Sequence, residues 1–282
     1  MNRKHDPMLI RWLIGGLAGL LLMADGMAEF ATSGSERVKI ALIIDDLGNK
    51  KAAGEAALRL PGPITYSFLP HTPYAREQAE VAHENHREVM LHLPMESDYG
   101  VPLGEGGLTL EMTKDDFINQ LEAALVSVPY VAGVNNHMGS LLTRDPTAMR
   151  WLMTSIREDK LFFIDSRTTD KTVAEKVAHK NLIQSASRDV FLDNEEDEEK
   201  IRKQLYKLID MAKENGQAIG IGHPYPETLA ILADELPKLE SLGVELVPAS
   251  ELTNEGEIIW HAYSSPLPRD AKNLKQLPLP IF

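Results

Sequence analysis

The 282-residue chain contains no cysteine, which excludes disulfides, thiol nucleophiles and thiolate metal sites together. The missing disulfides exclude no compartment, because a domain of this size can bury a sufficient core without them. Positive charge is short as well: 29 Lys and Arg stand against 42 Asp and Glu, for a formal charge of −13. Such a chain repels polyanions and shows no local basic patch, so nucleic acid is not an expected partner. Aromatic residues amount to only 6%. Trp151 falls in a helix-like segment and reads as core, leaving few rings, Trp260 among them, to stack on a sugar. The apolar stretch from Trp12 to Ala24 falls short of the about 20 residues of a comfortable membrane span.

That stretch has another use. Arg3, Lys4 and Arg11 precede it and Gly26-Met27-Ala28 follows, the basic, apolar, small-residue order of a secretory signal. Residues 1–28 are therefore expected to be a signal peptide, cleaved after Ala28, and the protein to be periplasmic or secreted. An uncleaved signal would be its attachment to the membrane. Residues 29–37 read as a linker, 38–255 as one domain, and 256–282, rich in Pro, Lys and Leu, as an extended tail.

Seven strand-like runs follow one another: 38–44, 64–69, 88–93, 130–135, 161–165, 217–222 and 244–248. The first, Val38-Lys39-Ile40-Ala41-Leu42-Ile43-Ile44, is almost wholly apolar, as a strand buried on both faces should be. Segments apolar at helical spacing lie between them: 50–59, 75–85, 114–126, 146–158, 195–215 and 227–240. Regular alternation of this kind predicts a parallel sheet, closed or partly closed as a barrel of about seven strands, or open and doubly wound. Two stretches break the rhythm, 96–110 and 168–193, and read as long loops over a site.

Parallel α/β folds bind at the carboxyl ends of their strands, where loops and helix N-termini converge. Here those ends are repeatedly polar: Asp45-Asp46, His92 before Pro94, Asn135-Asn136-His137, Asp165-Ser166-Arg167 and His223-Pro224. One carboxylate with two neutral imidazoles is a common catalytic ligand set for a divalent ion, zinc above all, and Asp46, His92 and His137 supply it. Asp45 is then available as a base and His223 as an acid for a leaving group. Taken singly, each also has a structural reading: a turn and helix cap for Asp45-Asp46, a satisfied core histidine for His92, loop and turn residues for His137 and His223. Their joint placement at strand ends favours the chemical one. His71, after the second strand, is as readily a rim residue as a loop residue, whereas His83, His86 and His179 read as solvated. The acidic run Glu195–Glu199 reads as a helix start rather than a calcium site.

The set Ile43-Ile44-Asp45-Asp46-Leu47-Gly48, Leu91-His92-Leu93-Pro94-Met95, Asn135-Asn136-His137-Met138-Gly139-Ser140, Asp165-Ser166-Arg167-Thr168 and Gly222-His223-Pro224 resembles the divergent polysaccharide deacetylase family, a branch of the NodB-type carbohydrate esterases. The likeness runs from about Val38 to Leu252. It implies a distorted (β/α) barrel and metal-dependent removal of N- or O-acetyl groups from a cell-envelope or extracellular glycan. The resemblance makes Asp45 the base, Asp46 a ligand and His223 the acid, with Arg167, following Asp165, orienting the base or holding substrate. Two departures stand out. Ordinary relatives draw both metal histidines from one helical His-Ser/Thr-x-x-His motif, whereas here the second must come from elsewhere, namely His137, and their arginine-proline-tyrosine motif is missing. Two other outcomes stay open: a glycan-binding or envelope-assembly protein that keeps the pocket without catalysis, and metal-assisted cleavage of another bond such as a phosphoester.

Overall fold

The computed structural model describes residues 37–254. The signal, most of the linker and the tail lie outside them; Arg37, the last linker residue, pairs with Glu240 at 2.9 Å. Nine strands form one parallel sheet: β1 Val38–Leu47, β2 Thr65–Phe68, β3 Glu88–Met95, β4 Val131–Met138, β5 Phe162–Asp165, β6 Ser185–Ser187, β7 Val190–Phe191, β8 Gln217–Gly222 and β9 Val244–Val247. Their order is β6-β5-β4-β3-β2-β1-β8-β7, with β9 also on β1. Seven helices cover the outside: α1 Lys51–Leu58, α2 Ala75–Glu84, α3 Lys114–Ser127, α4 Pro146–Glu158, α5 Ala174–Lys180, α6 Glu198–Asn215 and α7 Pro226–Glu235. Among the described residues no helix is long and apolar enough to cross a membrane.

The sheet curls into the distorted barrel because its two edge strands are consecutive in the chain. Between β6 and β7 lie only Arg188 and Asp189, whose amides bond to opposite flanks, Arg188 to Asp165 O at 3.0 Å and Asp189 to Ile219 O at 2.9 Å. This corrects the sequence reading of 168–193 as a long loop, since the stretch holds α5 and both edge strands. The reason it was missed is physical: Ser185-Ala186-Ser187 and Val190-Phe191 are too short to show an apolar period.

Side-chain alternation along the strands divides the core. Ile40, Leu42 and Ile44 of β1 pack outward with the helices. Ala41 and Ile43 pack inward with Met90, Ile164, Ile219 and Ile221. A period of two then fixes what comes next on the inner face. Asp45 follows Ile43, His92 follows Met90, Asn135 and His137 follow Gly133, and His223 follows Ile221. Asp165 follows Phe163, a residue of the outward set.

The helices start where their sequences provide caps. Asp145 accepts from Thr147 and Ala148 N at 2.8 and 2.7 Å ahead of Pro146 at the first turn of α4. Asp197 accepts from Lys200 N at 3.0 Å ahead of α6, so the acidic run is a helix start. Trp151, partly buried, packs edge-on against the core residue Phe117, centroids 5.6 Å apart.

Candidate metal and catalytic site

Asp45 and Asp46 are neighbours on a strand, so an unbroken pleat would send them to opposite faces. A bulge prevents it. Between Ile44 and Leu47 the β1 register gains one residue on β2, and Asp46 takes a left-handed φ of 59°, a conformation Asp tolerates better than most residues. Both carboxylates thus reach the inner rim. Gly48, at φ 104°, completes the turn where a Cβ would meet Thr72 Oγ1 at 2.1 Å. Left-handed residues recur around the rim at His71, Met138 and Arg167, as is common where a fold holds functional groups in place.

Asp46 Oδ1 lies 2.9 Å from His137 Nδ1 and 3.2 Å from His92 Nε2. The two imidazole nitrogens are themselves 3.1 Å apart. These three atoms form a near-equilateral triangle of potential ligands. Zinc–ligand bonds of about 2.0–2.1 Å at tetrahedral angles would set such atoms about 3.3 Å apart, so the triangle fits a small divalent cation.

Hydrogen bonding decides which atoms carry lone pairs. Asn135 Nδ2 donates to Asp45 Oδ1 at 2.8 Å, because a carboxylate can only accept. Its carbonyl therefore faces the other way, accepting from Ser67 Oγ at 2.7 Å and from His92 Nδ1 at 2.9 Å. With the Nδ1 proton spent on Asn135, neutral His92 turns a bare Nε2 lone pair toward Asp46, the tautomer a metal ligand needs. A proton can stand in for a cation here. Burial works to keep His92 neutral, yet the charge of Asp45 and the bond to Asp46 push it up to about 9. Burial likewise works to keep Asp46 protonated, but hydrogen bonds from His137 and His92 hold it well below the usual carboxylate range.

Asp45 is 2% exposed. Burial raises its pKa, against the pull of His92 and His223.

His223 stands on the far side of the triangle, Nε2 3.9 Å from Asp46 Oδ2. Its ring lies between Phe191 and Tyr225, centroids 5.4 and 5.5 Å away. Nδ1 donates to Asp193 Oδ1 at 2.9 Å, and Asp193 Oδ2 accepts from His223 N and Thr228 Oγ1 at 2.6 and 2.8 Å. Burial alone would lower the pKa of His223; the bond and charge of Asp193 raise it above the ordinary imidazole value. Asp193 is a site residue that the sequence reading missed. Its signal was the one used elsewhere, a carboxylate just past a strand end, but the strand has only two residues.

Asp165 and Arg167 are not brought into this cluster. Out of phase with the inner face, the Asp165 carboxylate accepts from Arg167 N at 2.9 Å and Thr172 Oγ1 at 2.8 Å. Arg167 is exposed and uses its backbone, its carbonyl accepting from Arg188 Nη2 at 2.9 Å. Arg188 also donates Nε to Ser166 O at 2.7 Å and lies 4.5 Å over the Phe191 ring; burial and the charge of Arg167 lower its pKa, against the pull of Asp165, Asp189 and Asp45.

Two cavities open on Asp46. One of about 420 Å³ lies on the His137 side, walled by His71, Thr72, Leu103 and Glu105, so His71 does line the rim. The other, about 900 Å³, lies on the His223 side between α1 and α7.

Residues 42–253 match the model of the family described as divergent polysaccharide deacetylase. The Escherichia coli K12 protein YibQ, described as uncharacterized, is 37% identical over 220 residues, 78% of this chain and 69% of its own. An uncharacterized Haemophilus influenzae protein is 36% identical over 221 residues, covering 78% and 79%. The crystal structure of an uncharacterized protein from Agrobacterium tumefaciens C58 superposes with a TM-score of 0.74 at 25% identity, covering 79% of this chain and 92% of that one. A sheet of the same curl, with Asp46, His92 and His137 at its rim inside the matched residues, accompanies these likenesses. The chain belongs to the divergent polysaccharide deacetylase family.

Proposed function

We propose that the protein is a zinc-dependent hydrolase that removes acyl groups, acetyl being the smallest, from a glycan outside the cytoplasm. The convergence of three lone-pair atoms within 3.2 Å of one another, flanked by a buried carboxylate and a carboxylate-held imidazole, carries this reading. Asp46, His92 and His137 would hold the ion. Bound there, it supplies Lewis acidity, which acidifies water and polarises an acyl carbonyl.

The protein's own groups do the proton work. Asp45, fixed by Asn135, takes the proton of the attacking water. His223, protonated and held by Asp193, delivers a proton to the leaving nitrogen or oxygen. Asp165 and Arg188 brace the loop beside Asp45 rather than act on substrate. The glycan and the extracellular setting rest on the family and on the signal-like residues 1–28.

The test is metal content and acetate release from acetylated glycan oligomers, measured on the wild type, Asp45→Asn and His137→Ala. Near-stoichiometric zinc and turnover in the wild type are expected, with zinc kept but turnover lost in Asp45→Asn, and zinc lost in His137→Ala. A wild type that binds glycan but releases no acetate with zinc bound would make it a binding protein instead.

A further inference from the structure

The larger cavity on Asp46 is made by what its two walls lack. From α1 come Ala52, Ala53 and Ala56, and from α7 come Leu229 and Ala230. Methyl groups facing methyl groups leave adjacent helices unable to interdigitate, so a trough of about 900 Å³ remains between them. Its floor is carbon, with Leu47 buried beneath. Its head is the reactive end: Asp46 and His223 both line it. The smaller cavity differs in chemistry, offering His71, Thr72 and Glu105 beside His137. The trough's polar side chains are Asn49, Lys50 and Tyr225 besides Asp46 and His223, and the helix walls between them are carbon, so a sugar's hydroxyls find few partners along those walls.

From this contrast we infer that the trough binds a hydrocarbon acyl chain of the substrate, the glycan lying on the His137 side and the scissile acyl carbon between them. The inference deepens the hydrolase reading and rests on it for the direction of the substrate. An acetyl methyl needs on the order of 30 Å³, about the share of one water, and would leave the trough unused. The favoured substrate class is thus a glycan carrying an N- or O-linked acyl group longer than acetyl. Hydrolysis forms the carbonyl–OH bond and breaks the bond to the sugar nitrogen or oxygen. His223 gives its own proton to the sugar nitrogen or oxygen; Asp45 then loses the proton it took from water to solvent and His223 regains one, which closes the balance.

The experiment uses the full zinc-loaded chain and two readouts. The first is kcat/KM for p-nitrophenyl acetate, butyrate, hexanoate and octanoate. Full burial of a methylene is worth about fourfold, and a trough open along one side gives about half that free energy, or about twofold per methylene. Octanoate is then expected to exceed acetate by roughly fifty-fold. In Ala53→Phe, which fills the trough from its α1 wall, the series should flatten while acetate cleavage and Tm are retained. The second readout is fluorescence of cis-parinarate, displaced by octanoate, which reports the trough whether or not the protein hydrolyses anything.

Saturable probe binding that Ala53→Phe abolishes would support the trough even if no ester were cleaved, in which case the hydrolase reading alone falls. Acetate cleavage with a flat chain-length series and no probe binding would overturn the trough and leave the hydrolase standing. A probe excluded from the wild type at every concentration would likewise overturn it, showing the trough closed or covered by the chain itself.

Discussion

Asn135 donates its amide to Asp45 across 2.8 Å, joining the end of β4 to the end of β1 inside the barrel. The same carboxamide accepts from His92, so one neutral side chain sets the base's position and a ligand's tautomer together. Replacing it with Leu, similar in volume, leaves Asp45, His92 and Ser67 short of a buried partner. The zinc Kd of Asn135→Leu is expected to rise about 10- to 100-fold, with a stability loss of about 1–3 kcal/mol. Competition with a chromogenic chelator and denaturant melts measure the two; an unchanged Kd would mean that Asn135 does not set the tautomer.

Asp193 acts on the reaction through His223. Asp193→Asn keeps the shape but lets the amide reverse the hydrogen bond to Nδ1, and it withdraws the negative charge that raises His223 above the ordinary value. Because the protonated imidazole is the working form, activity falls as pH rises through its pKa, and lowering that pKa moves the alkaline limb to lower pH. A fall in kcat of about 10²–10⁴ is expected, with KM little changed. An alkaline limb that stayed in place would remove His223 from the acid role.

How legible the site was follows from strand phase. Asp45, His92 and His223 each continue the inner-facing alternation of Ile43, Met90 and Ile221, and His137 follows Gly133 and Asn135 on β4, so reading the strand ends placed all four in the candidate site. Asp165 ends a strand too, but in the outward phase set by Phe163; the position was legible and the direction was not. Asn135 looked like part of a polar end, and only the carboxylate beside it, 90 residues away in sequence, gives it a task. The fold divides the same way. Six helices and seven strands carry patterns long enough to read, whereas α5 buries Ala174, Val177 and Ala178 at helical spacing in only seven residues, and the strands β6 and β7 are held by their neighbours' backbones.

The left-handed turn at Asp46 ties backbone to chemistry, and two substitutions separate them. Asn accepts φ near 59° as readily as Asp, so Asp46→Asn is expected to fold normally and lose tight zinc binding. Asp46→Val loses zinc and adds about 1–2 kcal/mol of backbone strain. Elemental analysis beside thermal melts distinguishes them; equal melting of the two variants would show that the bulge relaxes when its residue changes.

Strain of the same kind, away from the site, offers a control on the fold. The chain enters β3, β4, β5 and β6 after His86, Tyr130, Lys160 and Leu182, all at positive φ, while Gly216 and Gly243 serve the same turn before β8 and β9. Non-glycine residues pay a steric cost there that glycine avoids. Lys160, exposed at φ 59° and donating its amide to Arg157 O at 3.1 Å, loses nothing else on becoming glycine. Lys160→Gly is therefore expected to gain about 1 kcal/mol, raising Tm by about 2–4 °C. Tyr130→Gly should gain less or lose, because that ring stacks on His83 with centroids 3.8 Å apart. Calorimetry of the two variants compares them directly, and a Tm that falls in Lys160→Gly would mean that the entropy of the unfolded glycine outweighs the relief of strain.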